Sequence, residues 1–98
     1  MDKENLKRKS INVKLLNINN GLVEYDNVKF IKLKSKHYNL IIKEYDLPII
    51  GEIEGDVKIE LVNNVIELKN IKGYFMSKKN QFNLFIKEED KNEWIDII

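Results

Sequence analysis

This 98-residue sequence predicts an all-β fold, an antiparallel β-sandwich carrying a short C-terminal helix. Three observations support it. Apolar and polar residues alternate with period two in Val57, Ile59, Leu61 and again in Phe82, Leu84, Ile86, with Lys58, Glu60, Asn83 and Lys87 pointing the other way. Turn-forming residues separate the apolar runs at short intervals. Only the stretch from Glu88 to Ile98 has a helical look.

Residues 1–10 are polar, with Lys3, Lys7, Arg8 and Lys9, and read as an N-terminal arm outside the packed domain. The β-sandwich domain is expected over residues 11–88. Its strands are Ile11 to Leu16, Val28 to Leu33, His37 to Ile42, Val57 to Val62, Val65 to Leu68, Ile71 to Phe75 and Phe82 to Ile86. Asn19-Asn20-Gly21, Asn63-Asn64 and Lys79-Asn80 supply hairpin turns, so neighbouring strands are expected to run antiparallel. In Val28 to Leu33 the apolar register changes face between Phe30 and Ile31. A β-bulge there would curve the sheet, favouring a curved sandwich or partial barrel over a flat one. Residues 89–98 form the expected helix: Glu88, Glu89 and Asp90 suit a helix N-terminus, and Trp94 and Ile98 are spaced i,i+4.

Composition narrows the function. Seventeen basic residues against sixteen acidic give a net charge of +1, which provides no overall field for nucleic acid or anionic lipid, so a protein partner is expected. Cysteine is absent, which removes disulfides, thiolate metal sites and cysteine nucleophiles and fits a cytoplasmic location. MDKENLKRKS contains no apolar run of signal-peptide length, and no stretch approaches the roughly 20 apolar residues of a membrane span. The expectation is a chain neither exported nor inserted in a membrane. The Lys-, Ile- and Asn-rich usage, with no Ala or Thr, reads as a coding bias, and lysine runs count for less as functional signals.

Catalytic chemistry finds little footing. His37 is the sole histidine, so neither a His cluster nor a His-Ser pair can be built within one chain. Gly21, Gly51, Gly55 and Gly73 are too dispersed for a phosphate-cradling loop. Glu44 with Asp46, and Glu52, Glu54 and Asp56, lie among lysines and read as solvated faces rather than acid/base pairs or metal ligands. No catalytic residue, cofactor or metal is expected.

Between Ile11 and about Glu88 the order of strands and turns resembles the N-terminal β-sandwich of the epsilon subunit of F-type ATP synthases. INVKLL leads through Asn17-Ile18-Asn19-Asn20-Gly21, where the family has a TPEG-like turn, into Val28 to Leu33, where it has a VxxVxLP-like strand. Tyr38 to Ile42, followed by Leu47-Pro48-Ile49-Ile50-Gly51 and on to Gly55-Asp56-Val57-Lys58-Ile59, is similar to GxFGILPGHAPLLxxLKPGxVxI with a two-residue insertion. Lys72-Gly73-Tyr74-Phe75 through Asn80 and Ile86 resembles GGFxEVxxNxVxVLA. The GHAP-type turn is replaced within Lys43-Glu44-Tyr45-Asp46, and the threonine–proline pair of the first turn is missing. The family's long C-terminal helical hairpin would have no counterpart before Ile98.

The resemblance implies a non-catalytic central-stalk subunit that docks on the gamma subunit of a rotary ATPase and couples it mechanically to its load, without inhibition by a hairpin. Asn17 and the Glu44, Tyr45, Asp46, Pro48 turn would face gamma. Lys36 and His37 would face a membrane c-ring or another load-bearing subunit, with the protein cytoplasmic and peripheral to the membrane. Independently, Trp94, Ile95, Ile97 and Ile98 are costly to leave in water, each fully buried apolar side chain being worth about 1.5–3 kcal/mol. They suggest docking on a partner or packing on the domain's own open end. The rival reading is a β-barrel module for RNA or peptide, with Val62, Phe85 and Lys87 as contacts, aided by Lys78 and Lys79.

Overall fold

The computed structural model describes residues 10–89. Its elements are six strands: β1 (Ile11–Asn17), β2 (Gly21–Ser35), β3 (Asn39–Lys43), β4 (Ile49–Leu61), β5 (Val65–Lys78) and β6 (Gln81–Glu89). The sheet runs β1-β6-β5-β4-β2-β3, and a further β1–β2 pairing closes β1, β2, β4, β5 and β6 into a five-stranded barrel. β3 lies outside that ring on β2.

The expected β-sandwich is therefore corrected to a closed barrel, and purely antiparallel pairing to a mixed sheet. The turns were legible, and each makes its hairpin. Closure depends instead on β1 and β6, far apart in sequence, lying parallel with Asn12 opposite Gln81 and Asn17 opposite Ile86. No local signal records such a pairing, and closure leaves the ring without open edges along these paired segments.

The C-terminal helix also needs correction where it can be seen. β6 continues through acids that suit a helix start, with Glu88 opposite Lys72 and Glu89 opposite Ile71. Among the described residues there is no helix. Residues 1–9 and 90–98 lie outside the described residues, and with them most of the N-terminal arm, the remainder of the helical segment, and Trp94, Ile95, Ile97 and Ile98.

Alternation fills the barrel. Ile11, Val13 and Leu15 of β1, Val57 and Ile59 of β4, and Phe82, Leu84 and Ile86 of β6 all point inward and are buried, joined by Val28, Ile31 and Leu33 of β2. Ile42 brings β3 into the same core, and Phe75 stacks on Phe82 with ring centroids 5.8 Å apart.

Two long strands change face along their length. β2 is bulged on both sides of Val28, at the 25–28 step against β1 and between Val28 and Phe30 against β4. The second bulge falls close to the Phe30–Ile31 switch predicted from sequence. β5 is bulged at Lys69–Asn70, so Ile66 and Leu68 face the core before it, and Ile71, Gly73, Phe75 and Ser77 after it. Asn27 (φ 60°) and Asn70 (φ 54°) take the left-handed conformations at these breaks, a role asparagine tolerates better than most residues. Two glycines admit close crossings of the backbone. A Cβ on Gly55 would meet the Lys34 carbonyl oxygen at 2.1 Å, and one on Gly73 would meet that of Phe85 at 2.1 Å.

Candidate docking surface

The predicted turn residues divide into those that hold the barrel together and those that face solvent. Asn17 is buried, and its Oδ1 accepts hydrogen bonds from the backbone N–H groups of Asn19 (2.7 Å) and Asn20 (3.3 Å). This Asx-type turn closes the β1–β2 hairpin. Asp46 works similarly: its Oδ2 accepts from the Lys43 N–H at 2.8 Å, and its own N–H donates to the Lys43 carbonyl at 3.3 Å. Tyr45 is held in a left-handed conformation (φ 65°), its N–H donating to Asn80 Oδ1 at 2.6 Å. Asn80 also accepts from the Asn12 N–H through its carbonyl at 3.0 Å. It thereby ties the β5–β6 turn to the β3–β4 turn and to the start of β1. The Tyr45 ring, thus aimed, is exposed, as are Leu47 and Pro48, while Glu44 is half-buried.

At the β2–β3 turn, Lys36 Nζ lies 2.9 Å from Glu54 Oε2, and its N–H donates to the Glu54 carbonyl at 3.2 Å. The lysine lowers the Glu54 carboxyl below its ordinary range, through its hydrogen bond first and its charge second. His37 beside it is exposed. Tyr38 donates from its hydroxyl to the Glu52 carbonyl, and burial pushes its phenol above the usual tyrosine range. Lys36 and His37 thus lie at the β2–β3 turn, whereas the Tyr45–Pro48 loop is tied to the β5–β6 turn.

Sequence reasoning missed a larger feature. On the outer face, Tyr74 of β5 lies opposite Phe85 of β6, Phe85 opposite Leu16 of β1, and Leu16 opposite Leu22 of β2. All four are between 40% and 58% exposed, forming one apolar row across four strands. The next row on β4 and β5 adds Ile50 opposite Met76, which runs the apolar surface toward Pro48 and Leu47, the latter 84% exposed. Singly exposed hydrophobics are ordinary, but a contiguous band is the mark of an interaction surface. The band's signal was in the sequence as apolar doublets inside alternating strands: Leu15-Leu16, Phe75 flanked by Tyr74 and Met76, and Leu84-Phe85. A strand apolar on both faces cannot bury both within one barrel layer.

Of the rival contacts, Phe85 belongs to this band. Val62 is exposed beside the β4–β5 turn, Lys78 and Lys79 lie at the β5–β6 turn, and Lys87 is the extra residue of the bulge in β6. Among the described residues no group of His, Asp or Glu is placed to hold a metal, and no helix is long and apolar enough to cross a membrane.

No family model matches the sequence, and no curated protein does. A solved structure does match the fold: a chain of the central stalk/c-ring of the Tetrahymena thermophila mitochondrial ATP synthase superimposes with a TM-score of 0.66 at 17% identity. The match covers 81% of this chain and 64% of that one, so this chain spans under two-thirds of its neighbour's length. At that identity the likeness establishes a shared fold.

Proposed function

We propose that this protein is a rotor-related subunit of a rotary ATPase, epsilon-like, which docks on the gamma subunit of the central stalk and fastens it to its load. The observation that carries this reading is the apolar band Tyr74–Phe85–Leu16–Leu22, exposed on a barrel whose fold is shared with a chain of an ATP synthase central stalk/c-ring structure. The work is mechanical: a rigid closed barrel transmits force between what it holds on either side and performs no chemistry of its own. The band, with Pro48 at its margin beside Ile50 and Met76, is the surface offered to gamma, together with the exposed Tyr45 of the same loop. In this arrangement Asn17 and Asp46 shape the supporting turns, and Glu44 faces gamma from the same loop as Asp46. Lys36 and His37, on the β2–β3 turn, are offered to a c-ring or another load-bearing subunit, with the protein cytoplasmic at the membrane periphery.

The test is affinity purification of the tagged protein from its native cell, with identification of the co-purifying chains. A rotary-ATPase gamma subunit is expected, and its loss from a Tyr74→Ser/Phe85→Ser variant that melts like the parent would locate the contact. Recovery without any ATPase subunit would overturn the assignment.

A further inference from the structure

The opposite quality of surface appears where β3, β2, β4 and β5 lie side by side. Their outer faces form an open groove of about 670 Å³. Ile41 of β3 lies opposite Lys32 of β2, Lys32 opposite Lys58 of β4, and Lys58 opposite Glu67 of β5. The neighbouring row places Asn39 opposite Lys34 and Lys34 opposite Asp56. Lys69 completes the lining, 3.9 Å from Glu67.

The direct Lys32–Lys58 opposition is unusual. Directly opposed residues on adjacent strands hold their Cβ atoms about 4.5–5.5 Å apart, where like charges destabilise the pairing. Among the described residues neither lysine has an ion-pair partner, and Lys34 has none either. The barrel thus keeps a repulsive pair at the centre of a concave, half-apolar face. An anionic occupant would convert that repulsion into attraction.

We propose that this groove binds an acidic segment of a protein partner. Its carboxylates would sit over Lys32, Lys34 and Lys58, and an apolar residue would rest against the half-exposed Ile41. Nucleic acid fits less well, because Asp56 and Glu67 would face its phosphates and no aromatic side chain lines the groove for base stacking. The same two carboxylates suit a peptide that carries one lysine or arginine among its acids. Asp56 accepts the Asn70 N–H through its Oδ1 at 3.0 Å, which anchors that carboxylate at the groove. This site stands independently of what the apolar band binds.

Fluorescence anisotropy on the whole chain provides the test, using a short fluorescein-labelled peptide, mostly glutamate with one isoleucine and one lysine, and a labelled oligouridine of equal charge. Saturable peptide binding is expected, weakened at least about tenfold in Lys32→Glu and left alone in Lys78→Glu. Because Lys32→Glu replaces a like-charge pair with an opposite one, its melting temperature should hold or rise while binding falls. Absence of saturable peptide binding, equal loss in Lys78→Glu, or oligouridine binding as tight as the peptide would each overturn the proposal.

Discussion

The two outer faces of this barrel are built from the same long strands and have opposite character. β2 gives Leu22 to the apolar band from its first half and Lys32 and Lys34 to the groove from its second; β5 gives Glu67 and Lys69 to the groove and then Tyr74 and Met76 to the band. The change occurs at bulges marked by left-handed Asn27 and Asn70. A bulge both bends a strand to close the barrel and re-aims its side chains, so the irregularity that closes the fold also divides the surface. One continuous core can then support two faces suited to chemically different partners.

The largest effect on that comparison should come from collapsing the crossings that hold both faces. Gly73→Ala would drive a methyl into the Phe85 carbonyl beneath the band, and Gly55→Ala into that of Lys34 beneath the groove. Each is expected to cost about 3–5 kcal/mol by urea denaturation, because the obstacle is backbone and cannot swing aside. A cost below about 1 kcal/mol would mean that the backbone crossings at Gly55 and Gly73 leave room for a methyl group.

Asn80→Ala comes next. It removes the acceptor for the Tyr45 N–H and places alanine at a φ of 61°, so a loss of about 1–3 kcal/mol is expected. Exchange of the Tyr45 amide should accelerate with it. Unchanged protection there would show that the β3–β4 loop is held by something else.

Replacing Tyr74 and Phe85 by serine should shift stability by only about 1 kcal/mol, as both are substantially exposed, while abolishing gamma binding. Equal losses of stability and binding would make the band part of the fold rather than a docking face.

The smallest effect concerns acid. The folded-state pKa of Glu54 is lowered by Lys36, so its contribution is present above the ordinary glutamate range and is lost as pH falls through the lowered value. Lys36→Gln should flatten the acid limb of the stability curve only slightly, since the carboxylate is exposed.

The sequence made legible what local chemistry dictates. Ile11 to Leu16 and Phe82 to Ile86 lie within β1 and β6, and all three asparagine-bearing turns connect strands as expected, because alternation and positive-φ turns act over a few residues. The polar pair Lys69-Asn70 parts the runs Val65 to Leu68 and Ile71 to Phe75 in the sequence, whereas in the barrel Asp56 receives the Asn70 N–H and one strand, β5, continues past the bulge. The first half of β4 carries no clear strand pattern in the sequence, because Pro48, Gly51 and Gly55 interrupt it there. The parallel β1–β6 closure and the Lys32–Lys58 opposition are products of register between distant segments. Of the predicted turn residues, Pro48 lies beside Ile50 and Met76 of the exposed apolar surface, and Phe85, a contact of the rival reading, lies within it. The rest of the band was hidden because Leu16, Tyr74 and Met76 were indistinguishable from core residues until the pairing was known.

The central claim, that the apolar band is the docking face and the lysine groove a separate one, is tested most directly by calorimetric titration of the protein with the gamma subunit of its own cell's rotary ATPase. Tyr74→Ser/Phe85→Ser should weaken binding by at least about a hundredfold while Lys32→Glu leaves it within about twofold. No measurable binding by the parent protein, or an equal loss in both variants, would contradict it.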